Sequence, residues 1–127
     1  MERMKVLLNT SEPHAKHAIF FLDLDRFKQV NDTLGHKSGD LLLVEVANRI
    51  KGLLKNKDIL ARYGGDEFVF TISNIKNPRD AALFAEKILA AIEEPIRING
   101  EDVFVTSSLG ISIYPEDGHK TETLIIL

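Results

Sequence analysis

The sequence contains no cysteine, which excludes disulfide bonds and zinc–thiolate sites. It also lacks any apolar run long enough to cross a membrane, and the apolar part of its first eight residues is too short for a signal peptide. The net charge of −3 argues against a broad basic surface for nucleic acid. We therefore expect a soluble, cytoplasmic chain with no nucleic-acid partner and no direct membrane insertion, whose parent protein can still be attached to a membrane.

The length is that of a single domain. The 127 residues are enough for one hydrophobic core and too few for two, so we expect one domain over residues 1–127. Residues 1–17 form a poorly defined leader. Thr121 has the character of a helix N-cap, but the sequence ends at Leu127 in an apolar run. We therefore expect the C-terminal helix to be cut short.

The hydrophobic pattern alternates between strands and helices. Five segments have the character of strands, and they cover residues 18–23, 58–63, 68–73, 96–98 and 103–113. Three segments have a helical period: residues 26–34, a longer helix that opens at Ser38 or Gly39, and a helix from Pro78 to the residue before Pro95. This order predicts an α+β fold, βαββαβ with one added hairpin, in which helices pack on a central antiparallel sheet.

Capping residues are expected at two helices. Asp25 is the expected N-cap of the first helix. Asn77 is the expected N-cap of the third, with Pro78 at the first helical position, where proline is favoured because its missing N–H is not needed.

Two acidic pairs are expected to converge at one end of the sheet. Asp23 and Asp25 lie on one side of the chain at the C-terminal end of the first strand, since side chains alternate along a strand, and a glycine turn delivers Asp66 and Glu67. Converging carboxylates repel one another unless a cation lies between them, and hard oxygen ligands suit Mg²⁺. The alternatives are a simple strand end at Asp23 and an ordinary polar hairpin at the turn. We favour a metal role for Asp23 and the capping role for Asp25.

Polar residues also crowd the joint between the first two helices. They are Asn31, Asp32, His36, Gly39 and Asp40. Side chains of Asn and Asp can read a nucleotide base through paired donors and acceptors, but they also cap helices at such a corner. The residues alone leave both interpretations open, and the same holds for His36. Lys28 either meets a phosphate or is simply solvated.

Three motifs stand in a fixed order: FLDLDRFK at residues 21–28, NDTLGHKSGD at 31–40 and RYGGDEF at 62–68. In this order and spacing they resemble the GGDEF family of diguanylate cyclases. Segments at residues 108–111 and 114–118 match as well, so that the likeness runs from about Ala18 to Leu124.

The resemblance implies a ferredoxin-like palm, related to those of nucleotidyl cyclases and polymerases. Members of the family join two GTP molecules into cyclic di-GMP and release pyrophosphate, as part of bacterial second-messenger signalling. Each domain holds one GTP, so a homodimer is needed for catalysis. Sensory or phosphodiesterase domains are the expected neighbours in a parent protein.

The resemblance also implies roles for individual residues. Asp23 and Asp66, with the backbone carbonyl of Leu24, would ligate Mg²⁺ or Mn²⁺, and Glu67 would support a second ion or the turn. Asp66 would also help to deprotonate the ribose 3′-hydroxyl, and Lys28 would contact phosphate. The residues assigned to guanine and other substrate contacts are Asn31, His36, Asp40, Gly64 and Gly65.

One family feature is altered. Many members carry an inhibitory product site, Arg-x-x-Asp, just before the hairpin strand, and here Lys55 stands in place of that arginine while Asp58 is kept. Lysine cannot form the bidentate contacts that arginine makes with guanine or phosphate. We therefore expect product inhibition to be weak or absent.

Two family segments are not visible, and this keeps a second function open. The opening Asp-x-Leu-Thr and Asn-Arg segment is not found before Ala18, and the final basic helix does not follow Leu127. The intact hairpin motif favours an active cyclase. The missing segments favour a catalytically inactive GTP-binding regulatory module, for example next to a cyclic di-GMP phosphodiesterase domain. A fragment that folds only in part is the third alternative.

Overall fold

The computed structural model describes residues 16–55 and 58–114. Within these residues the elements are β1 (Lys16–Leu24), α1 (Phe27–Leu34), α2 (His36–Leu53), β2 (Leu60–Arg62), β3 (Glu67–Ile75), α3 (Pro78–Glu93), β4 (Ile96–Ile98), β5 (Glu101–Val103) and β6 (Ser107–Tyr114). The predicted order of strands and helices is therefore present, with one additional strand. The last two residues of the predicted leader at 1–17, Lys16 and His17, belong to β1. The rest of the leader, the turn at 115–118 and the helix expected from Thr121 lie outside the described residues.

The main sheet has four antiparallel strands in the order β2-β3-β1-β6. Strand β1 is central, and Phe20 lies opposite Phe70 of β3 and Ile111 of β6. The central position explains why β1 is apolar on both faces, since Phe20 and Ile19 are both buried. It also places the C-terminal end of β1 between the ends of two neighbouring strands.

The core lies between one face of the sheet and the helices. The rings of Phe20 and Phe70 stack at 5.0 Å between centroids, and Phe84 of α3 packs at 5.5 Å from Phe20. Leu42 and Val46 of α2 and Ile88 of α3 are fully buried in the same cluster. Burial of each such side chain stabilises the fold by about 1.5–3 kcal/mol. This core holds the helices against the sheet and so fixes where their N-terminal ends lie.

The start of α2 differs from the prediction. The helix begins at His36 rather than at Ser38 or Gly39. Gly35 has φ 92°, a conformation open to glycine, and its N–H donates to the carbonyl of Asn31 at 2.8 Å. One residue therefore turns the chain from α1 directly into α2, and no longer linker is needed.

The two predicted helix caps have different outcomes. Asn77 caps α3 as predicted, because its side chain accepts a hydrogen bond from the amide of Asp80 at 3.2 Å. The prediction that Asp25 caps α1 is wrong. Arg26, with φ 59°, precedes α1, and no side-chain hydrogen bond caps the helix, because the Asp25 carboxylate is bound elsewhere.

The predicted strand over 103–113 is divided in two. Strands β4 and β5 form a separate hairpin around Asn99 (φ 51°) and Gly100 (φ 83°), which is the positive-φ pair of a type I′ turn. The Asn99 carboxamide donates to the Ser38 hydroxyl at 3.1 Å and ties this hairpin to α2. The chain must then cross through residues 104–106 before it enters the main sheet as β6.

No helix within residues 16–55 or 58–114 combines the length and the apolar character needed to cross a lipid bilayer.

Candidate metal centre

Three carboxylates meet where β1 ends and β3 begins. Asp23, Asp66 and Glu67 each offer an oxygen that lies within 4.8 Å of the others. The pairing of β1 with β3 sets Asp23 opposite Glu67, and the amide of Leu24 donates to the carbonyl of Asp66 at 3.1 Å. Residues more than forty positions apart in the sequence therefore share one site.

The turn that carries two of these acids is held by backbone contacts. The amide of Tyr63 donates to the carbonyl of Glu67 at 2.7 Å, and the Arg62 side chain donates to the carbonyl of Gly65 at 3.2 Å. Of the two glycines only Gly64 has a positive φ, 79°. A side chain at this position would be strained, so the turn depends on glycine there.

The charges of the cluster work against one another. Asp23 is exposed, yet its pKa is raised, first by partial loss of hydration, then by the negative charges of Asp66 and Glu67, by a hydrogen bond with the Asp66 side chain and by the charge of Asp25. A divalent cation would offset this repulsion, and carboxylates together with a nearby backbone carbonyl are the donors that Mg²⁺ and Mn²⁺ prefer. The residues present therefore fit such an ion.

A cavity of about 1210 Å³ opens beside the carboxylates. Asp23, Asp66 and Lys28 of α1 are among the residues that line it. Residues of β5 and of the link after it also line the cavity, including Phe104, which is 69% exposed. The cavity thus combines carboxylates and a lysine, the groups that meet metal-bound phosphates.

Asp23 and Glu67 also border a second cavity of about 500 Å³. Phe21, Val69 and Gly110 line it. Because Phe21 lies on the same side of β1 as Asp23, this cavity belongs to the sheet face opposite the main core.

The joint between α1 and α2 places the predicted base-binding residues in different environments. The carboxamide oxygen of Asn31 is buried, without a hydrogen-bond partner among the described residues. It lies against Gly39 so closely that a Cβ there would overlap it. His36 is exposed at the first position of α2, and Asp40 is exposed one turn further along. The structure thus brings Asn31 against α2 and leaves the other two side chains in solvent.

Asp25 has partners that the sequence did not reveal. Its carboxylate accepts hydrogen bonds from the hydroxyls of Thr106 at 2.9 Å and Ser108 at 2.8 Å, and its amide donates to the Thr106 carbonyl at 2.9 Å. These partners are 81 and 83 residues away along the chain. Serine and threonine near a strand carry no local signal of such a contact, so sequence reasoning missed them.

Lys55 and Asp58 border a separate cavity of about 480 Å³. The Asp58 carboxylate accepts hydrogen bonds from two backbone amides, that of Lys55 at 2.8 Å and that of Ser73 on β3 at 3.1 Å. Lys55 is exposed. Asp58 therefore stabilises the local backbone through these hydrogen bonds, whereas the side chain of Lys55 is exposed to solvent.

Comparison with known proteins gives consistent matches along the chain. The family model described as "Diguanylate cyclase, GGDEF domain" matches residues 2–127. The bifunctional diguanylate cyclase/cyclic di-GMP phosphodiesterase MucR of Pseudomonas aeruginosa is 47% identical over 111 residues, which are 87% of this chain and 16% of that protein. The cyclic di-GMP phosphodiesterase NbdA of the same species is 41% identical over 108 residues, which are 85% of this chain and 14% of that protein. The chain thus spans less than a fifth of the length of these relatives.

A solved structure matches the fold. The crystal structure of the GGDEF domain of TpbB from Pseudomonas aeruginosa superposes with a TM-score of 0.91 at 38% identity, covering 98% of this chain and 78% of that one. The predicted α+β, palm-like fold is confirmed by this likeness.

Proposed function

Because the chain belongs to the GGDEF family of diguanylate cyclase domains, we propose that it condenses two GTP molecules into cyclic di-GMP and releases pyrophosphate. The observation that carries the proposal is the group of three carboxylates whose oxygens lie within 4.8 Å of one another beside a large cavity. Residues 1–127 would act as one domain of a longer cytoplasmic signalling protein.

The carboxylates would hold the metal. Asp23 and Asp66, with the Leu24 carbonyl, would ligate Mg²⁺ or Mn²⁺, and Glu67 would support a second ion. When bound, the ion supplies positive charge that offsets the developing charge on the phosphates. Lys28, on the wall of the same cavity, would add to this effect by contact with a phosphate.

The proton of the attacking hydroxyl needs an acceptor. Asp66 would take the proton of the ribose 3′-hydroxyl, because its carboxylate lies in the cluster and lines the cavity. The exposed glycines Gly64 and Gly65 would let phosphate oxygens approach the backbone of the turn.

The guanine would lie at the α1–α2 corner. Asn31 and Asp40 would contact it, with His36 nearby, because amide and carboxylate groups can match its edge with donors and acceptors. One copy of the chain has one such corner and one carboxylate cluster among its described residues, whereas the reaction joins two nucleotides. Two copies would therefore face each other as a homodimer.

The test is product formation by concentrated protein with GTP and Mg²⁺. Cyclic di-GMP and pyrophosphate should appear, and the rate should grow faster than in proportion to protein concentration because a dimer is required. Asp66→Asn should abolish product, while Glu86→Gln, which changes an exposed acid on α3, should not. Product formed at an equal rate by Asp66→Asn would overturn the proposal.

The alternative is a regulatory module that binds GTP without turnover. It is supported by NbdA, which is named for phosphodiesterase activity and contains a segment 41% identical to this chain. GTP binding in a calorimeter with Mg²⁺, without any product after long incubation, would favour this alternative.

A further inference from the structure

Asp25 stands beside the candidate metal centre without belonging to the three carboxylates that converge there. Its two carboxylate oxygens are used separately, one by the hydroxyl of Thr106 and the other by that of Ser108. A carboxylate with both oxygens occupied by donors is held in one orientation. In that orientation its oxygens accept hydrogen bonds from β6 and from the link before it, and they do not join the three carboxylates of the candidate metal centre.

The backbone of Asp25 has a more direct consequence for the centre. Its amide nitrogen shares a peptide unit with the Leu24 carbonyl, the group proposed as a metal ligand. A trans peptide is planar, and its N–H and C=O point in opposite directions. The hydrogen bond from the Asp25 amide to the Thr106 carbonyl, 2.9 Å long, therefore directs the Leu24 carbonyl away from Thr106.

The peptide unit before it, between Asp23 and Leu24, is held by a different part of the chain. The amide of Leu24 donates to the carbonyl of Asp66 in the hairpin. Two consecutive peptide units are thus anchored to two different parts of the chain, the acidic turn and the link before β6. The next residue, Arg26, has φ 59°, so the backbone leaves this anchored segment in a conformation that non-glycine residues rarely adopt.

We propose that Asp25 is a positioning residue of the metal centre: through its bonds to Thr106 and Ser108 it holds the Leu24 carbonyl in the direction that receives the cation. This inference rests on the proposed function, since it takes Asp23, Leu24 and Asp66 as the metal-binding groups. Groups that orient metal ligands typically contribute about 10–100-fold to metal affinity.

The charge of Asp25 must be separated from its positioning role. Removal of a negative charge close to a cation site weakens binding whatever the geometry. The double variant Thr106→Val/Ser108→Ala keeps the charge and the backbone bond to the Thr106 carbonyl but removes both hydroxyl donors, so it tests what the side-chain bonds of Asp25 contribute to the positioning. Asp25→Asn removes the charge and keeps one acceptor oxygen. Ser107→Ala is the matched control, because it deletes the neighbouring hydroxyl on β6 that makes no bond to Asp25.

The experiment measures the Kd of Mn²⁺ alone by the electron paramagnetic resonance of the free ion, together with thermal unfolding in the absence of metal. We expect the double variant and Asp25→Asn to raise the Kd by about 10-fold or more, and Ser107→Ala to leave it unchanged. The metal-free midpoint should move little in the double variant, because Thr106 and Ser108 are exposed.

Each result decides between distinct conclusions. Weakened binding in Asp25→Asn with unchanged binding in the double variant would show an effect of charge and overturn the positioning role. Normal binding in both would overturn it as well, while Asp23→Asn should still abolish binding and so preserve the proposed metal site. Failure of the unaltered protein to bind Mn²⁺ at millimolar concentration would overturn the proposed site and this inference together.

Discussion

The amide of Leu24 donates a hydrogen bond to the carbonyl of Asp66 at 3.1 Å, so the end of β1 and the acidic turn are joined by the backbone itself. The antiparallel pairing of β1 with β3 places Asp23 opposite Glu67. The carboxylates are therefore brought together by strand pairing, and their mutual repulsion is imposed by the fold. A site built in this way is less stable when empty than when it holds a cation.

Asp23→Asn should raise the thermal midpoint of the metal-free protein. The pKa of Asp23 is raised in the fold, so its charged form disfavours folding once the pH exceeds the ordinary range of an aspartate, and a neutral amide removes that cost. Mg²⁺ at a hundred times its Kd should stabilise the unaltered protein by about 2.7 kcal/mol, and the variant hardly at all. Differential scanning fluorimetry with and without Mg²⁺ measures both effects. Equal stabilisation of the two proteins by Mg²⁺ would argue against Asp23 as a ligand.

Gly39→Ala should impair GTP binding more than folding. The new Cβ would overlap the Asn31 carboxamide oxygen and force that side chain to turn away from its present position. Because the obstacle is the end of a side chain, we expect a loss of only about 1 kcal/mol in the free energy of unfolding. The Kd for GTP should rise about tenfold, as for one lost polar contact.

Urea unfolding and calorimetric GTP titration measure these two quantities. Gly52→Ala, on the same helix, is the control, since a Cβ there meets open space. It should stabilise the helix by up to about 1 kcal/mol and leave GTP binding unaltered. An unchanged GTP affinity in Gly39→Ala would remove Asn31 from the binding site.

Lys55→Arg should strengthen inhibition by cyclic di-GMP. Arginine offers the paired donors that Lys55 lacks, so the concentration for half-inhibition should fall about tenfold. Lys51→Arg, an exposed lysine at the end of α2, should have no effect. Inhibition curves of the cyclase reaction provide the measurement. Binding of cyclic di-GMP to the unaltered protein at low micromolar concentration, lost in Lys55→Ala, would show that lysine is sufficient.

The buried His17 should make the fold sensitive to acid. It lies on β1 opposite Tyr114 of β6, and burial lowers its pKa from the ordinary value of 6.5. As the pH falls below 6.5, the unfolded chain binds a proton that the folded chain resists, so stability decreases. His17→Gln should flatten this dependence in urea unfolding measured across that pH window. His36→Gln, which changes an exposed histidine, should leave it in place. A pH profile that is the same in His17→Gln would assign the acid sensitivity to other groups.

Sequence patterns predicted the features that depend on neighbours along the chain. The apolar run of β1, the glycine turn before Asp66 and the Asn77 cap are each written in a few consecutive residues, and the structure contains all three. The convergence of Asp23 with Glu67 followed from assuming that β1 and the hairpin strands are neighbours, which the sheet order shows they are.

The features that the sequence did not predict depend on distant partners. Asp25 has the propensity of a helix cap, but the hydroxyls of Thr106 and Ser108 compete for its carboxylate and bind it instead. Local propensity cannot account for a donor more than eighty residues away. Similarly, the last predicted strand is divided because β5 pairs with β4 in a separate hairpin, and the hydrogen bond from Asn99 to Ser38 that ties this hairpin to α2 is a long-range contact that no local pattern encodes.

The tie between Asp25 and the start of β6 sets an order of events during synthesis. Asp23, Leu24 and Asp66 leave the ribosome well before Thr106 and Ser108, whose arrival closes a loop of more than eighty residues. Contacts of such long range form late, because the entropy of loop closure must be offset first. A nascent chain that has reached only the acidic turn therefore has its carboxylates but not the anchored Leu24 carbonyl, and the proposed ion-binding site would be complete only when its last described strand has docked.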